Sequence, residues 1–334
     1  MVTKIGINGF GRIGRLCLRA AMARNDLEVV AVNSTADPKT SAHLFKYDST
    51  HGTYKGTVET TENGLIIDGK EIKLLSDRDP LNLPWGELGV DIVIDATGKF
   101  KTKEDAGMHL TKGAKKVIIT APGKNVDATL VMGVNENTYD PQKHHVISNG
   151  SCTTNCLAPI VKVLHDNLTI KSGLMTTVHA FTNDQKNLDN RHKDLRRARG
   201  CTQSIIPTTT GAAKTVTEVI PELKGKLNGM ALRVPTPNVS LVDLVVEFAE
   251  EVTVEQINEM LKKACENKLK GILAYCEEPL VSIDFNGNSH SGIIDSLSTM
   301  VVGSHMAKIL AWYDNEWGYS CRVIDLACFI GSKN

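Results

Sequence analysis

The sequence has few cysteines, no excess charge of either sign and no long hydrophobic run. Its 334 residues include eight cysteines, which is too sparse for a disulfide scaffold. Lys and Arg total 38 and Asp and Glu total 38, so the formal net charge is zero. Overall charge therefore does not favour binding to nucleic acid or to an anionic membrane. No stretch of about 20 apolar residues is present, so we expect no membrane-spanning helix.

Targeting signals, repeats and low-complexity segments are also missing. The apolar run at the N-terminus breaks after a few residues, unlike that of a signal peptide. We therefore expect a cytoplasmic protein in a reducing compartment. A chain of this length predicts about two domains.

The first 150 residues alternate short apolar runs with amphipathic stretches. This pattern predicts strands at 4–8, 28–33, 91–95 and 116–120, and helices at 11–23, 38–45 and 103–110. Between them, Asn63-Gly64 and Asp68-Gly69 indicate hairpin turns in a β-rich insertion. Strand–helix–strand alternation is typical of a doubly wound parallel sheet, so we predict a Rossmann-type α/β domain over residues 1–150.

The pattern changes after residue 150. We predict a long helix over 152–164, strands at 173–180, 230–234, 239–247, 298–302 and 307–313, and helices at 212–220 and 254–268. These elements predict an α+β domain over 151–316 with a mainly antiparallel sheet. A last helix, within 317–334, is expected to pack back on the first domain. Residues 183–199 lack apolar periodicity and predict a long functional loop.

The segment Gly9–Gly14 (GFGRIG) has the pattern G-x-G-x-x-G. It follows a predicted strand and opens a predicted helix, which is the context that a dinucleotide site requires. Gly9, Gly11 and Gly14 permit a tight turn against a pyrophosphate, and the helix N-terminus offers N–H donors. A glycine-rich turn without a ligand is the alternative.

The second strand lacks the acidic residue expected about 20 positions after the glycines. Asn33 and Ser34 stand there, followed by Thr35, whereas Asp37 comes after the predicted strand end. A carboxylate would repel a 2′-phosphate, so the sequence favours or at least tolerates NADP. The alternative is that the change is neutral and NAD still binds.

Cys152 is the strongest candidate nucleophile. It is predicted at the start of a helix, a position that lowers the pKa of a thiol, and hydroxyls of Ser151, Thr153 and Thr154 surround it. His179, at the end of a predicted strand, is the best candidate base. A structural role for Cys152 is the weaker interpretation.

Cys156 lies one helical turn after Cys152, a spacing that can indicate a metal site. We expect no metal, because no complementary pair of ligands stands elsewhere in the chain.

Residues 186–199 form a basic segment with six Lys or Arg and two Asp. It has no interleaved aromatic residues, so nucleic-acid binding is the least favoured interpretation. Anion sites for phosphorylated small molecules, or a solvated or subunit-contact loop, remain open. The segment 208–211 (TTTG) precedes a predicted helix and offers another anion site, and Arg233 ends a later strand.

Taken together, seven separated segments resemble the glyceraldehyde-3-phosphate dehydrogenase family along the whole chain. They are INGFGRIGR (7–15), SCTTNCLAP (151–159), HAFTNDQ (179–185), HKDLRRAR (192–199), PTTTGAAK (207–214), RVPTPNVS (233–240) and WYDNEWGYS (312–320).

The resemblance implies roles for individual residues. It makes Cys152 the thiol that attacks the aldehyde carbon and His179 the base that activates it. It places inorganic phosphate at Ser151, Thr153, Thr210 and Gly211. It places the substrate phosphate at Thr182, Arg197 and Arg233, with Asp184 supporting that loop and Arg233 shared by both sites. It places the cofactor at Arg12, Ile13, Arg78, Thr120 and Asn315.

The resemblance also implies a reaction and an assembly. The thiolate forms a thiohemiacetal, hydride transfer to the nicotinamide leaves a thioester, and phosphate releases an acyl phosphate. Family members are usually homotetramers, in which the region 183–199 borders a neighbour's cofactor pocket.

The chain departs from the family pattern at three places. NAD-preferring members have an acidic residue at Ser34 and commonly Leu-Pro at Asn190-Arg191, and Gly150 replaces the usual alanine. The loss of a carboxylate together with Arg191 predicts NADP preference or dual use, which goes with gluconeogenic flux in related bacterial isoforms. Arg191 pointing to solvent is the alternative.

Two competing functions stay open at this point. Erythrose-4-phosphate dehydrogenase has a similar architecture and the same Cys/His pair. A binding or redox-sensing role is a second alternative, because the chain has a reactive thiol and a basic loop.

Overall fold

The computed structural model describes residues 2–333, which divide into two units. Unit 1 contains the chain up to Leu130, Glu136–Gly150 and the chain from Ser320 onward. Unit 2 contains Val131–Asn135 and Ser151–Tyr319.

Unit 1 is built around a nine-stranded sheet. Its strands are β1 (Thr3–Asn8), β2 (Leu27–Asn33), β3 (Val58–Thr61), β4 (Gly64–Ile67), β5 (Lys70–Leu75), β6 (Ile92–Asp95), β7 (Lys116–Ile119), β8 (Ala128–Thr129) and β9 (Val146–Ser148). Its helices are α1 (Arg12–Met22), α2 (Pro38–Lys46) and α3 (Lys103–Thr111).

The strand order in this sheet is β3-β4-β5-β2-β1-β6-β7-β9-β8. All neighbours are parallel except β3–β4 and β4–β5, which form the predicted hairpins. Strands β6 and β7 are buried along their whole length, as expected for strands covered on both faces. The order reverses between β1 and β6, and a ligand crevice forms at such a switch point.

Unit 2 is built around a seven-stranded sheet in the order β11-β12-β10-β13-β16-β15-β14. Its strands are β10 (Ile170–Ala180), β11 (Ile206–Thr209), β12 (Leu227–Val234), β13 (Ser240–Phe248), β14 (Leu273–Cys276), β15 (Gly292–Val302) and β16 (Met306–Tyr313). The helices are α4 (Cys152–Leu168), α5 (Ala212–Val219), α6 (Val254–Glu266) and α7 (Trp317–Gly331), of which α7 continues into unit 1.

This second sheet is mainly antiparallel, which confirms the predicted fold class, although β10–β12 and β14–β15 are parallel pairs. Strand β13 alternates strictly between buried and half-buried residues. The buried residues pack against the apolar side of α4, in a core that includes Val242, Leu244, Leu157 and Val161.

The sequence did not predict β8, β9, β11 or β14, and β15 starts six residues before the predicted strand. The missed strands have two to four residues, too few to show an alternating pattern. In β15 the register shifts between Asp295 and Met300, which interrupts the alternation.

Within residues 2–333, none of the helices has the length and apolar character that crossing a lipid bilayer requires.

Candidate active site

The glycine-rich turn joins β1 to α1 at the switch point of the first sheet. Gly9 has φ +94°, and a Cβ there would lie 2.8 Å from the backbone nitrogen of Thr97. A Cβ on Gly14 would collide with the carbonyl oxygen of Gly9, whereas one on Gly11 would meet nothing within 4 Å. Gly11 caps α1 without a side-chain hydrogen bond. The turn thus leaves open space beside a helix N-terminus, which fits a dinucleotide pyrophosphate.

A buried polar network supports this turn from below. The Asn8 amide donates to Asp95 Oδ2 at 2.8 Å, and Asn33 Nδ2 donates to Asn8 Oδ1 at 2.8 Å. Trp85 Nε1 donates to His109 Nδ1 at 2.9 Å, so the His109 proton resides on Nε2, which lies 3.2 Å from Asp95 Oδ2. The network ties together the ends of β1, β2 and β6. The sequence analysis did not identify it.

Ser34 follows the last residue of β2 and is half-buried. Its Oγ accepts from the backbone N–H of Ala36 at 3.1 Å. Asp37 does not substitute for the missing carboxylate, because it caps α2 and accepts from the N–H and hydroxyl of Thr40. Thr35 is exposed at the same strand end.

The other residues assigned to the cofactor have defined places. In unit 1, Arg12 pairs with Asp48 at 2.7 Å, half-buried Ile13 follows it in α1, and Arg78 is exposed. The Thr120 hydroxyl donates to the carbonyl oxygen of Asp95 at 3.0 Å. In unit 2, Asn315 Oδ1 accepts from Ser240 Oγ at 2.7 Å.

Cys152 and His179 face each other in unit 2. Cys152 is the first residue of α4, whose N-cap is Ser151, and the Ser151 hydroxyl accepts from the N–H of Thr154. His179 lies near the end of β10, and its Nε2 is 3.5 Å from Cys152 Sγ. The pair predicted from the sequence is therefore within contact distance.

The sequence predicts a lowered pKa for Cys152 at a helix N-terminus, but this prediction is wrong: the net shift of its pKa is upward. Burial raises the pKa of the Cys152 thiol, although the charge of Arg233 and hydrogen bonds from Thr153 oppose that rise. Burial and the charge of Arg233 lower the pKa of His179 to about 3. Each ion alone is therefore disfavoured, whereas moving the proton from Sγ to Nε2 leaves the pair neutral overall.

Arg233, in β12, lies directly beside this pair. Its Nη1 is 2.8 Å from His179 Nδ1 and donates to the carbonyl oxygen of Ala180 at 2.9 Å. Burial and the nearby charge of Arg197 lower the pKa of Arg233. The charges of both Arg233 and Arg197 also act on His179, so two guanidinium groups lie near the base, which makes the site suited to anions.

Tyr313, in β16, is a site residue that the sequence analysis missed. Its hydroxyl is 2.8 Å from the hydroxyls of Thr153 and Thr177, and its ring lies edge-on to the His179 ring at 6.0 Å. Burial raises the Tyr313 pKa, so the phenol stays neutral. The one feature of the sequence that could have identified Tyr313 as a site residue is its position two residues before Asn315.

Arg197, in the loop 183–199, is held by contacts with that loop and with β11. Its Nη1 pairs with Asp184, its Nε donates to Thr208 Oγ1 at 3.0 Å, and its Nη2 donates to the carbonyl oxygen of Thr209 at 3.2 Å. Thr182 precedes the loop, and its carbonyl oxygen accepts from Gln185 N at 2.9 Å.

The remaining candidate for an anion site, predicted from the segment 208–211, lies at the start of α5. Gly211 is its N-cap, again without a side-chain hydrogen bond, and a Cβ there would meet nothing within 4 Å. The Thr210 hydroxyl accepts from Ala212 N at 3.2 Å. Gly150, directly before Ser151, has φ +65°, which glycine adopts without the steric cost of a side chain.

No group of three or more His, Cys, Asp or Glu suited to a metal ion occurs among residues 2–333.

Comparison with known proteins finds the same family in both halves of the chain. Residues 3–103 match the family described as glyceraldehyde 3-phosphate dehydrogenase, NAD binding domain, and residues 151–315 match glyceraldehyde 3-phosphate dehydrogenase, C-terminal domain. The chain is 63% identical over 333 residues to glyceraldehyde-3-phosphate dehydrogenase of Geobacillus stearothermophilus, covering 100% of this chain and 99% of the relative.

Two further relatives are similar over the same length. Glyceraldehyde-3-phosphate dehydrogenase 2 of Bacillus subtilis (strain 168) is 59% identical, with 100% of this chain and 98% of the relative covered. Glyceraldehyde-3-phosphate dehydrogenase of Streptomyces coelicolor is 56% identical, with both chains covered completely.

Proposed function

The chain belongs to the glyceraldehyde-3-phosphate dehydrogenase family, and we propose that it oxidises D-glyceraldehyde 3-phosphate with inorganic phosphate to 1,3-bisphosphoglycerate, a step of glycolysis. The observation that carries this proposal is the 3.5 Å contact between Cys152 Sγ and His179 Nε2, with Arg233 beside it. A nucleophile, a base and an anion-binding group thus lie at one place.

In the first step, Cys152 Sγ attacks the aldehyde carbon and His179 Nε2 takes the thiol proton. His179 Nδ1 has two contacts that favour opposite tautomers: the carbonyl oxygen of Ala180 at 2.6 Å requires a proton on Nδ1, whereas the donor Arg233 Nη1 at 2.8 Å requires the proton on Nε2. The proposed step uses the tautomer with the proton on Nδ1. Nε2 is then unprotonated and accepts the proton. His179 then passes this proton to the aldehyde oxygen, so the product is a thiohemiacetal on Cys152 and Nε2 is again unprotonated.

In the second step, His179 takes the proton of the thiohemiacetal hydroxyl while a hydride leaves the same carbon. The nicotinamide ring, when bound, accepts that hydride. The glycine-rich turn, Gly9–Gly14, would hold the dinucleotide. After the hydride has left, a thioester remains on Cys152.

In the last step, phosphate attacks the thioester carbon, and Cys152 leaves as the thiolate. We assign the attacking phosphate to Ser151, Thr153, Thr210 and Gly211, and the substrate phosphate to Thr182, Arg197 and Arg233. The support for this assignment is the start of α5, where the N-cap Gly211 offers no side-chain hydrogen bond, and the charges of Arg233 and Arg197 that act on His179.

The alternative substrate is erythrose 4-phosphate, which is one carbon longer. We expect the specificity constant kcat/KM to be higher for glyceraldehyde 3-phosphate by about tenfold or more, because a misplaced carbonyl loses alignment with Sγ. Initial rates of cofactor reduction on both aldehydes decide this point. A higher kcat/KM on erythrose 4-phosphate would overturn the substrate assignment.

For the cofactor, we propose NADP preference or dual use. Ser34 places a hydroxyl and no carboxylate at the end of β2, and Asp37 is engaged as a helix cap. Arg191 is exposed in the loop 183–199 and carries a charge suited to a 2′-phosphate. A clear preference for NAD, with Arg191 pointing to solvent, is the competing outcome.

The double substitution Ser34→Asp with Arg191→Pro should shift the ratio of kcat/KM values toward NAD by roughly tenfold or more, because a carboxylate repels the 2′-phosphate. Steady-state kinetics with both cofactors measure the ratio. Arg199→Ala, which removes a charge from the same loop, is the control and should leave the ratio unchanged. An unchanged ratio in the double variant would contradict the proposal.

We also propose a homotetramer in a reducing, cytoplasmic compartment. The sheet of unit 2 exposes Leu174 (67%) and Met230 (40%) on strands β10 and β12, which favours burial against another copy. The eight cysteines, all within residues 2–333, form no disulfide. Light scattering should give four times the protomer mass of 36.3 kDa, and a 36.3 kDa species at micromolar concentration would contradict the assembly.

A further inference from the structure

His192 stands out in the loop 183–199. Its side chain is 10% exposed, although the neighbours Arg191 and Lys193 are exposed. Neither the reaction steps above nor the residues assigned to them use His192. A largely buried imidazole in an otherwise exposed loop raises the question of what its two nitrogens contact.

Three contacts bear on the tautomer of His192. The backbone N–H of Asp194 donates to Nδ1 at 2.9 Å, and the carbonyl oxygen of Asp194 lies 3.1 Å from the same nitrogen. The shorter contact requires an unprotonated Nδ1, and the Asp184 carboxylate beside Nε2 requires a donor, so we place the ring proton on Nε2. Nε2 lies 3.4 Å from Asp184 Oδ1 and therefore donates to that carboxylate.

Asp184 has a second partner. Its Oδ2 pairs with Nη1 of Arg197, so the carboxylate bridges the imidazole and the guanidinium. Partial burial opposes ionisation, but the hydrogen bonds from Arg197 and His192 lower the Asp184 pKa. The Asp184 side chain is 52% exposed, and a carboxylate held on one side only would sample other rotamers.

We propose that His192 is a positioning residue that acts through Asp184 to orient Arg197 toward the phosphate of the substrate. This inference rests on the proposed function, which assigns that phosphate to Arg197. His192 contacts no reacting atom; it holds one carboxylate oxygen so that the other holds the guanidinium. Its effect should therefore be confined to substrates that carry the phosphate.

Two substitutions of His192 each keep the hydrogen bond of one ring nitrogen and remove that of the other. His192→Gln keeps an N–H donor at the distance of Nε2, and His192→Asn keeps an acceptor at the place of Nδ1 but no donor that reaches Asp184. We expect the Asn variant to raise KM for glyceraldehyde 3-phosphate by about tenfold with kcat within about twofold, and the Gln variant to restore KM largely.

Unphosphorylated glyceraldehyde supplies the second readout. The Asn variant and the unsubstituted protein should have equal kcat/KM on it, because no phosphate reaches Arg197. In an Asp184→Asn background, His192→Asn should have no further effect on KM, as expected for two residues acting in one chain of contacts.

Three outcomes would overturn the inference. One is a KM for glyceraldehyde 3-phosphate that is normal in the Asn variant but raised in the Gln variant. This result would show that His192 only stabilises the loop through its contact with Asp194. Another is an equal loss of kcat/KM in the Asn variant on unphosphorylated glyceraldehyde. The third is an unchanged KM for glyceraldehyde 3-phosphate in both variants. If the unsubstituted protein fails to oxidise glyceraldehyde 3-phosphate, the proposed function fails instead, so the two failures are distinguishable.

Discussion

Cys152→Ala should abolish oxidation of glyceraldehyde 3-phosphate, with a loss in kcat of more than roughly 10⁴-fold. The reason is that the thiohemiacetal and the thioester both form on this sulfur, which lies 3.5 Å from the proton acceptor His179 Nε2. Steady-state cofactor reduction measures the effect. Substantial residual turnover in a Cys152→Ala preparation would exclude covalent catalysis at this residue.

Cys156→Ala is the matched control for that substitution. Cys156 lies one turn later in the same helix, is fully buried and belongs to the apolar core of unit 2. Burial raises the pKa of its thiol, so it stays protonated and unreactive. We expect unchanged kcat and a loss of about 1 kcal/mol in stability from the small cavity. Equal inactivation by both substitutions would indicate a defect in the helix instead of a lost nucleophile.

The second large effect is expected for His179→Asn, which should lower kcat by about 10²- to 10⁴-fold, since the thiol loses its proton acceptor. The pH dependence carries a sign as well. Burial raises the Cys152 pKa, so without His179 the thiolate forms only at alkaline pH. Alkylation of Cys152 by iodoacetamide should then be slow at pH 7 and rise about tenfold per pH unit up to pH 9.

The unsubstituted protein should be alkylated faster at pH 7 and with a shallower pH dependence, because the pair shares its proton. Cys152→Ala supplies the background from the other thiols. His305→Asn is the control, since His305 contacts the carbonyl oxygen of Glu250 and neither residue is assigned to the site of Cys152 and His179. Coincident pH profiles for His179→Asn and the unsubstituted protein would show that His179 does not take the thiol proton.

Local patterns predicted the features that depend on the backbone. The glycine-rich turn was identified because its G-x-G-x-x-G pattern follows a predicted strand and opens a predicted helix. The collision that Gly14 avoids is with Gly9 of the same turn, whereas the one that Gly9 avoids is with Thr97, which is distant in the chain. The long strands and helices were found because they repeat buried positions several times. Short strands such as β11 and β14 lack that repetition, since tertiary pairing and not local pattern defines them.

The pKa of Cys152 shows where local reasoning fails. A helix N-terminus favours a thiolate, and this effect is visible in the sequence. The opposing cost is burial, since Cys152 packs against a core formed by side chains distant in the chain, among them Tyr313. The buried network of Asn8, Asp95 and His109 likewise joins residues up to 101 positions apart. Neither feature could be predicted without the fold.

The most direct test of the account is a rapid-mixing experiment without inorganic phosphate. With excess glyceraldehyde 3-phosphate and cofactor, hydride transfer should proceed once, since the thioester on Cys152 has no acceptor other than water. We expect a burst of one reduced cofactor per protomer, followed by a slow rate that phosphate restores to steady turnover. Steady reduction at full rate without phosphate, or no burst, would contradict the proposed phosphorylating reaction.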